Sequence, residues 1–148
     1  MTTRQVLRAE DADDLGIISA RLQDAVFKIG DVAYLKAKRR FVVMLNRFMW
    51  EEAVDTRPGG AYRRIRSGLH FEDVLKVQSQ GVRRDAADAI AELLSISFEP
   101  KEDGAGAITL VLAGGGAIRL DVECIDAELA DIGEPWATAH KPAHDGVD

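Results

Sequence analysis

The chain has a single cysteine, Cys124, in 148 residues, so no disulfide can close within it and no cage of cysteine thiolates can hold a metal. Such usage belongs to a reducing compartment. Long apolar runs are missing too: nothing approaches the ~20 consecutive apolar residues that a bilayer crossing needs. The longest candidate, Phe41 to Trp50, is interrupted by Asn46 and Arg47. Met1 to Glu10 contains no apolar stretch of signal-peptide length, and the expected location is therefore cytoplasmic. No repeat of solenoid or propeller period is visible.

What is present is the composition of a folded protein. Apolar residues make up 47 % and charged residues 30 %, enough apolar surface to offset the chain entropy that keeps more polar sequences disordered. A chain of this length can remove roughly 70 % of its unfolded surface from water around one core. We expect a single domain over 1–148, ordered from about Val6 to Trp136, with 1–5 and 137–148 as frayed tails.

The net charge of −6 is unevenly spread. Residues 1–90 hold 16 Lys/Arg against 13 Asp/Glu, or +3, and residues 91–148 hold 3 against 12, or −9. Basic clusters occur at Lys36, Lys38, Arg39, Arg40 and at Arg57, Arg63, Arg64, Arg66. If the two parts fold onto separate surfaces, one face is basic and the other acidic.

Periodicity supplies the elements. Asp11 is placed to cap a helix whose Leu15, Ile18 and Leu22 form one buried stripe. Gln5-Val6-Leu7 reads as a short strand before it. Three strands follow, at 25–29, 32–36 and 40–50, with turns short enough to make neighbours antiparallel, and the third is apolar on both faces. The segment 55–60 is a proline- and glycine-rich loop. Beyond it the pattern predicts a strand over 62–71 and 74–80 with a break near Glu72-Asp73, and a helix over 86–92 capped by Asp85. Leu94, Ile96 and Phe98, then Ile108, Leu110 and Leu112, then Ile118, Leu120, Val122 and Cys124 give alternating strands, each set on a dry face. Gly114-Gly115-Gly116 joins the last two as a hairpin turn, since glycine takes positive φ without steric cost. Ile125, Leu129 and Ile132 fit a short helix stopped by Gly133 and Pro135, with a continued strand as the alternative. The fold class is α+β, mainly antiparallel β: about seven to eight strands as a partly open barrel or two packed sheets, with an N-terminal helix and one or two short helices.

Few motifs survive physical scrutiny. The triple glycine has no Lys-Ser/Thr after it and opens no helix, so it is no phosphate loop. His140 and His144 are spaced as helical metal ligands, but Pro142 stands between them. Cys124 falls on a dry face, where a thiol is inert. We expect no catalytic set, no cofactor and no metal. The residues that carry a binding surface are Arg57, Tyr62, Arg63, Arg64, Arg66 and His70: arginines beside an aromatic ring suit phosphate or a single strand of nucleic acid, and His70 shares the outward face of Arg66 and Gly68.

Several stretches taken together carry a resemblance: Leu7-Arg8-Ala9-Glu10-Asp11-Ala12-Asp13-Asp14-Leu15, Leu22-Gln23-Asp24-Ala25, Asn46-Arg47-Phe48-Met49-Trp50-Glu51, Ser67-Gly68-Leu69-His70-Phe71 and Gly114-Gly115-Gly116-Ala117-Ile118-Arg119-Leu120. Over nearly its whole length the chain resembles a family of small alphaproteobacterial proteins called domain of unknown function 2948. The resemblance implies a bacterial cytoplasmic protein and transfers no activity, cofactor or catalytic residue. The expected function is a noncatalytic binding or interaction module with an unknown protein partner or a second copy of itself. RNA binding through the arginines is the first alternative, and an enzyme with a cleft near His70 the second.

Overall fold

A computed structural model describes residues 5–53, 62–138 and Pro142. Strand β1 (Val6–Ala9) leads into helix α1 (Ala12–Arg21). Asp11 caps the helix, its Oδ1 accepting from the Asp14 N–H at 2.8 Å, while Asp13 and Asp14 sit in the first turn and Arg21 in the last, as the helix dipole favours. Leu15, Ile18 and Leu22 are buried, and Ser19 Oγ accepts from the Ile96 N–H at 2.8 Å, fixing the helix to strand β7 (Ile90–Pro100).

Strands β2 (Ala25–Lys28), β3 (Val32–Leu35) and β4 (Arg40–Phe48) follow. The expected hairpin between the first two does not form. Val26 pairs with Asn46, whereas Val32, Ala33, Tyr34 and Leu35 pair with Val43, Val42, Phe41 and Arg40, so β2 and β3 lie end to end along one side of β4. The 3-10 turn Ile29–Asp31 between them is a bulge in one interrupted strand, not a reversal. The true reversal comes at Lys36–Lys38, closed by Arg39 at φ 53°.

After helix α2 (Trp50–Ala53) come β5 (Tyr62–Phe71), β6 (Val74–Gln80), β7, β8 (Gly106–Leu112), β9 (Ala117–Val122) and β10 (Ala127–Thr138). Among the described residues these make one open antiparallel sheet of ten strands, ordered β1-β10-β5-β4-β2-β7-β8-β9-β6, with β3 paired to β4 off that path. The antiparallel α+β class stands. The sheet has more strands than expected and is continuous, without a division into two packed sheets.

Asp73, at φ 57°, turns the chain from β5 to β6, and so from one part of the strand order to its far end. The sheet must curl to allow this. At the turn its last strand meets β3 and β4: Tyr34 Oη donates to Val74 O at 2.8 Å, and Val74 N–H to Arg39 O at 2.9 Å. Inside the curl lies one core, running through Phe27, Phe41, Leu45, Leu69, Phe71, Leu93, Ile108, Leu120 and Leu129 together with the helix stripe. Each such side chain contributes roughly 1.5–3 kcal/mol by leaving water.

Three expectations are corrected, and the choice between helix and strand for 125–132 falls to the strand. Residues 86–92 form no helix: the segment is too short to repay helix nucleation, and its carbonyls serve the sheet instead, Ala87 O and Ala89 O accepting from Gly30 N–H and Ile29 N–H at 2.8 and 2.9 Å. Leu94 is exposed, because a bulge between Leu93 and Ser95 shifts the alternation and sends Leu93 inward. Residues 127–132 are strand, with Ala127 and Leu129 inward at a spacing of two. Gly133, at φ 76°, and Pro135 sit in a bulge between Ile132 and Trp136 rather than stopping a helix. Cys124 lies beyond the end of β9 and is exposed, with Sγ 3.3 Å from Asp73 Oδ2. Partial desolvation at its base, that hydrogen bond and the carboxylates of Asp73, Asp126 and Glu123 push its thiol up, which keeps it protonated.

The glycine turn is as expected: Gly114 and Gly115 both have positive φ, and Leu112 N–H donates to Gly116 O at 2.9 Å. Gln5, Ala137 and Thr138, expected to fray, are tied in. The Gln5 N–H donates to Asp131 Oδ2 at 2.9 Å, and Ala137 and Thr138 pair with Arg63 and Tyr62. Arg57, His140 and His144 lie outside the described residues. Among the described residues no helix is long and apolar enough to cross a membrane.

Candidate functional site

Strand parity places two different chemistries on the two faces of β10, β5 and β4. Outward go Tyr62, Arg64, Arg66, Gly68 and His70 of β5. Their partners are Phe48, Asn46, Met44 and Val42 on β4, and Thr138, Trp136, Ile132, Ala130 and Glu128 on β10. Val6 and Arg8 of β1 extend the rows opposite Ala130 and Glu128. Down the middle runs an apolar furrow. Gly68 is its floor, with Ile132 Cδ1 and Met44 Sδ each 3.4 Å from where a Cβ would stand. Val6, Ile132 and Trp136 on its wall are 64 %, 45 % and 42 % exposed, far more than a core-facing position tolerates.

The predicted binding residues divide on this geometry. Tyr62, Arg64, Arg66 and His70 share the outer face. Arg63 points to the opposite side and pairs with Glu52. Arg66 is 3.5 Å from Asp31 Oδ2 and 3.4 Å from Asn46 Oδ1. Arg64 is half-buried over the Phe48 ring, 5.8 Å from its centroid, and donates to Asn46 O and Asp24 O at 3.2 and 3.4 Å; burial pulls its guanidinium below the ordinary value. Phe48 is covered further by Trp50 and Tyr62, at centroid distances of 4.6 and 5.8 Å. His70 Nε2 is 3.7 Å from Glu72 Oε2, which also accepts from Arg40 at 2.7 Å.

Charge is thus interleaved, not segregated. The basic first part and the acidic last part are joined by Arg8–Glu128, Arg8–Asp126, Arg39–Glu123 and Arg47–Asp131 pairs. On this part of the sheet β10, from the acidic part, lies between β1 and β5 from the basic part.

The inward face holds what sequence reasoning missed. Arg47 is fully buried, and so is the side chain of Asp131. Arg47 Nε and Nη2 donate to the two Asp131 oxygens at 2.8 Å each, and Nη1 and Nη2 to Glu51 at 2.9 and 2.7 Å. Ser67 Oγ donates to Asp131 Oδ1 at 2.7 Å, and Arg21 lies 3.5 Å from Glu51. Burial alone would push Asp131 and Glu51 up; hydrogen bonds from Arg47, and for Asp131 also from Ser67 and the Gln5 N–H, outweigh it and hold both carboxyls below their usual range. Burial likewise opposes the Arg47 charge, and its two carboxylate partners more than restore it. The signal was available: Phe41, Val43, Leu45 and Arg47 share one parity, so Arg47 had to enter the core and find acids there.

Among the described residues no three of His, Cys, Asp and Glu gather closely enough to hold a metal ion. No curated protein and no solved structure matches the chain. A family model does match, over residues 6–144, and by that match the chain belongs to the family described as a protein of unknown function, DUF2948.

Proposed function

We propose that the protein is a noncatalytic, cytoplasmic binding module that takes a second protein surface, a second copy of itself first, on the outer face of β1, β10, β5 and β4. The observation that carries this reading is the apolar row Val6–Ala130–Gly68–Met44 with Ile132 and Trp136 beside it: Val6, Ile132 and Trp136 are exposed and the others half-buried, although the chain has core enough elsewhere. Monomeric proteins rarely leave such a patch uncovered. Its rim carries both signs, with Arg8 beside Glu128 at one end and Arg66 beside Asp31 nearer the other, which suits a like surface turned about a two-fold axis.

Nucleic acid is the weaker reading. Phosphate would have to displace Glu52 from Arg63, which points to the other side of the sheet, and Arg64 is committed to Phe48 and two carbonyls, which leaves Arg66 as the one loosely held arginine among the described three. A catalytic cleft at His70 has less support still, since its cross-strand neighbours are Val42 and Glu128 and Glu72 already serves Arg40. Light scattering on the purified chain tests the proposal. We expect a dimer that survives moderate salt, and a monomer with an unchanged circular dichroism spectrum after Ile132→Glu. A wild-type monomer that also captures no protein partner would sink it, and salt-labile RNA in place of a protein would replace it with the alternative.

A further inference from the structure

A second feature stands apart from the outer face and owes nothing to it. Where the sheet curls back on itself, β3 and β6 line one cleft, and among the described residues Tyr34 Oη to Val74 O joins them at one end. Among the described residues, β3 pairs only with β4 and β6 only with β9, so beyond that pinned end the two strand edges stay apart. Between them opens a cleft of about 290 Å³. Its walls are Ile29, Val32 and Phe41 from one side and Val77, Val82 and Ile118 from the other. The rest of its lining is polar: Tyr34, Ser79 and Arg84.

The segment that brings Val82 and Arg84 to the cleft is held in place. Gly30 N–H and Ile29 N–H donate to Ala87 O and Ala89 O, strapping one end of the segment to the bulge between β2 and β3, and Arg84 N–H and Ala86 N–H donate to Val82 O and Arg83 O within it. A Cβ at Gly30 would stand 3.0 Å from Ala87 O, so the strap lies close against that glycine. Backbone bonds thus hold one end of the segment that carries Val82 and Arg84.

We propose that this cleft binds a small apolar monocarboxylate, a single alkyl chain or ring bearing one acid group. The volume is at the lower end of the ~300–1,000 Å³ typical of ligand pockets, which fits one chain or ring and excludes a nucleotide-sized cofactor. The apolar walls take the body. The head is specified by charge: Arg8, Arg21, Arg39, Arg40, Arg47, Arg63, Arg66 and Arg119 are each engaged by a carboxylate of this chain, whereas among the described residues Arg64, Arg83 and Arg84 have no such ion pair, and of these three Arg84 lines this cleft. A guanidinium offers a carboxylate two parallel donors, and Ser79 adds a hydroxyl. Tyr34 spends its O–H on Val74 O and has no proton left to give an anion, which sets the ligand with its head toward Arg84.

The test is a nitrogen-15 NMR titration of the full chain with octanoate, with 1-octanol as the uncharged control. Octanoate is expected to shift the amides of Val32, Val77, Ser79, Val82 and Ile118 and to leave those of Gly68 and Ile132 in place. Arg84→Ala should weaken octanoate about tenfold or more, the loss of a charged hydrogen-bond pair, and leave octanol unchanged. Ser79→Leu, which fills the cleft, should abolish binding of both while the melting temperature holds. No shift at these residues up to low-millimolar octanoate, equal octanoate affinity in Arg84→Ala, or full binding by Ser79→Leu would each overturn the proposal.

Discussion

Arg47 and Arg66 stand on adjacent strands of one sheet, within one register step of each other, and lead opposite lives. Arg47 faces inward, is 0 % exposed, and has four donor contacts of 2.7–2.9 Å to two carboxylates. Arg66 faces outward, keeps 41 % of its side-chain surface, and reaches one carboxylate at 3.5 Å. The difference is parity alone. A guanidinium out of water must be matched donor by donor, because the desolvation it suffers is several kcal/mol; one at the surface is served by water and gains little from a partner. The inner set therefore fixes the fold, while the outer set is free to meet something else.

Substitution should break this symmetry of composition most sharply at the inner arginine. Arg47→Met leaves Asp131 buried without its cation, while Glu51 keeps only Arg21 at 3.5 Å, and should cost about 3–5 kcal/mol, read as a fall in the urea midpoint at pH 7. A cost below about 1 kcal/mol would mean that the cluster admits water and is not the organising contact described above.

Acid should come next. Asp131 and Glu51 have folded pKa values below their unfolded ones, so the unfolded chain takes up protons first as pH falls. The stability they contribute is complete above the unfolded values, near 4, and drains away as pH drops through the lower folded values. Asp131→Asn should be less stable than the wild type at pH 7, and the gap should narrow between about pH 5 and pH 2. A gap independent of pH would show that the aspartate's charge is not what Arg47 uses.

The smallest effect belongs to the outer face. Arg66→Ala should change stability by less than about 1 kcal/mol in the same urea measurement, since its pair with Asp31 is long and wet. A loss comparable to that of Arg47→Met would erase the distinction between the faces.

Periodicity reached the parts of this molecule that are decided locally. Helix α1 with its Asp11 cap, strand β4 with its two apolar faces and the Gly114-Gly115 turn each follow from neighbours within a few residues. Parity also put Arg66 and His70 on one outward face. What escaped depends on partners far along the chain. One extra residue at Leu94 inverts the faces of β7, and no local rule announces a bulge. Ala87 and Ala89 give up a helix because Gly30 and Ile29 arrive beside them. That β10, from the acidic part, lies between β1 and β5, from the basic part, is likewise set by distant partners. Arg47 was visible but misread, as an interruption in an apolar run instead of a buried charge calling for Asp131.

That call has a timetable. As the chain leaves the ribosome Arg47 emerges early, and Glu51 follows four residues later. Asp131 is 84 residues downstream, and with it comes the strand that lies between β1 and β5. Until then the nascent polypeptide holds a cation in what will become its interior with half its counter-charge not yet synthesised. The native core cannot close on a chain that stops short of Asp131, because Arg47 would then be buried with part of its counter-charge missing.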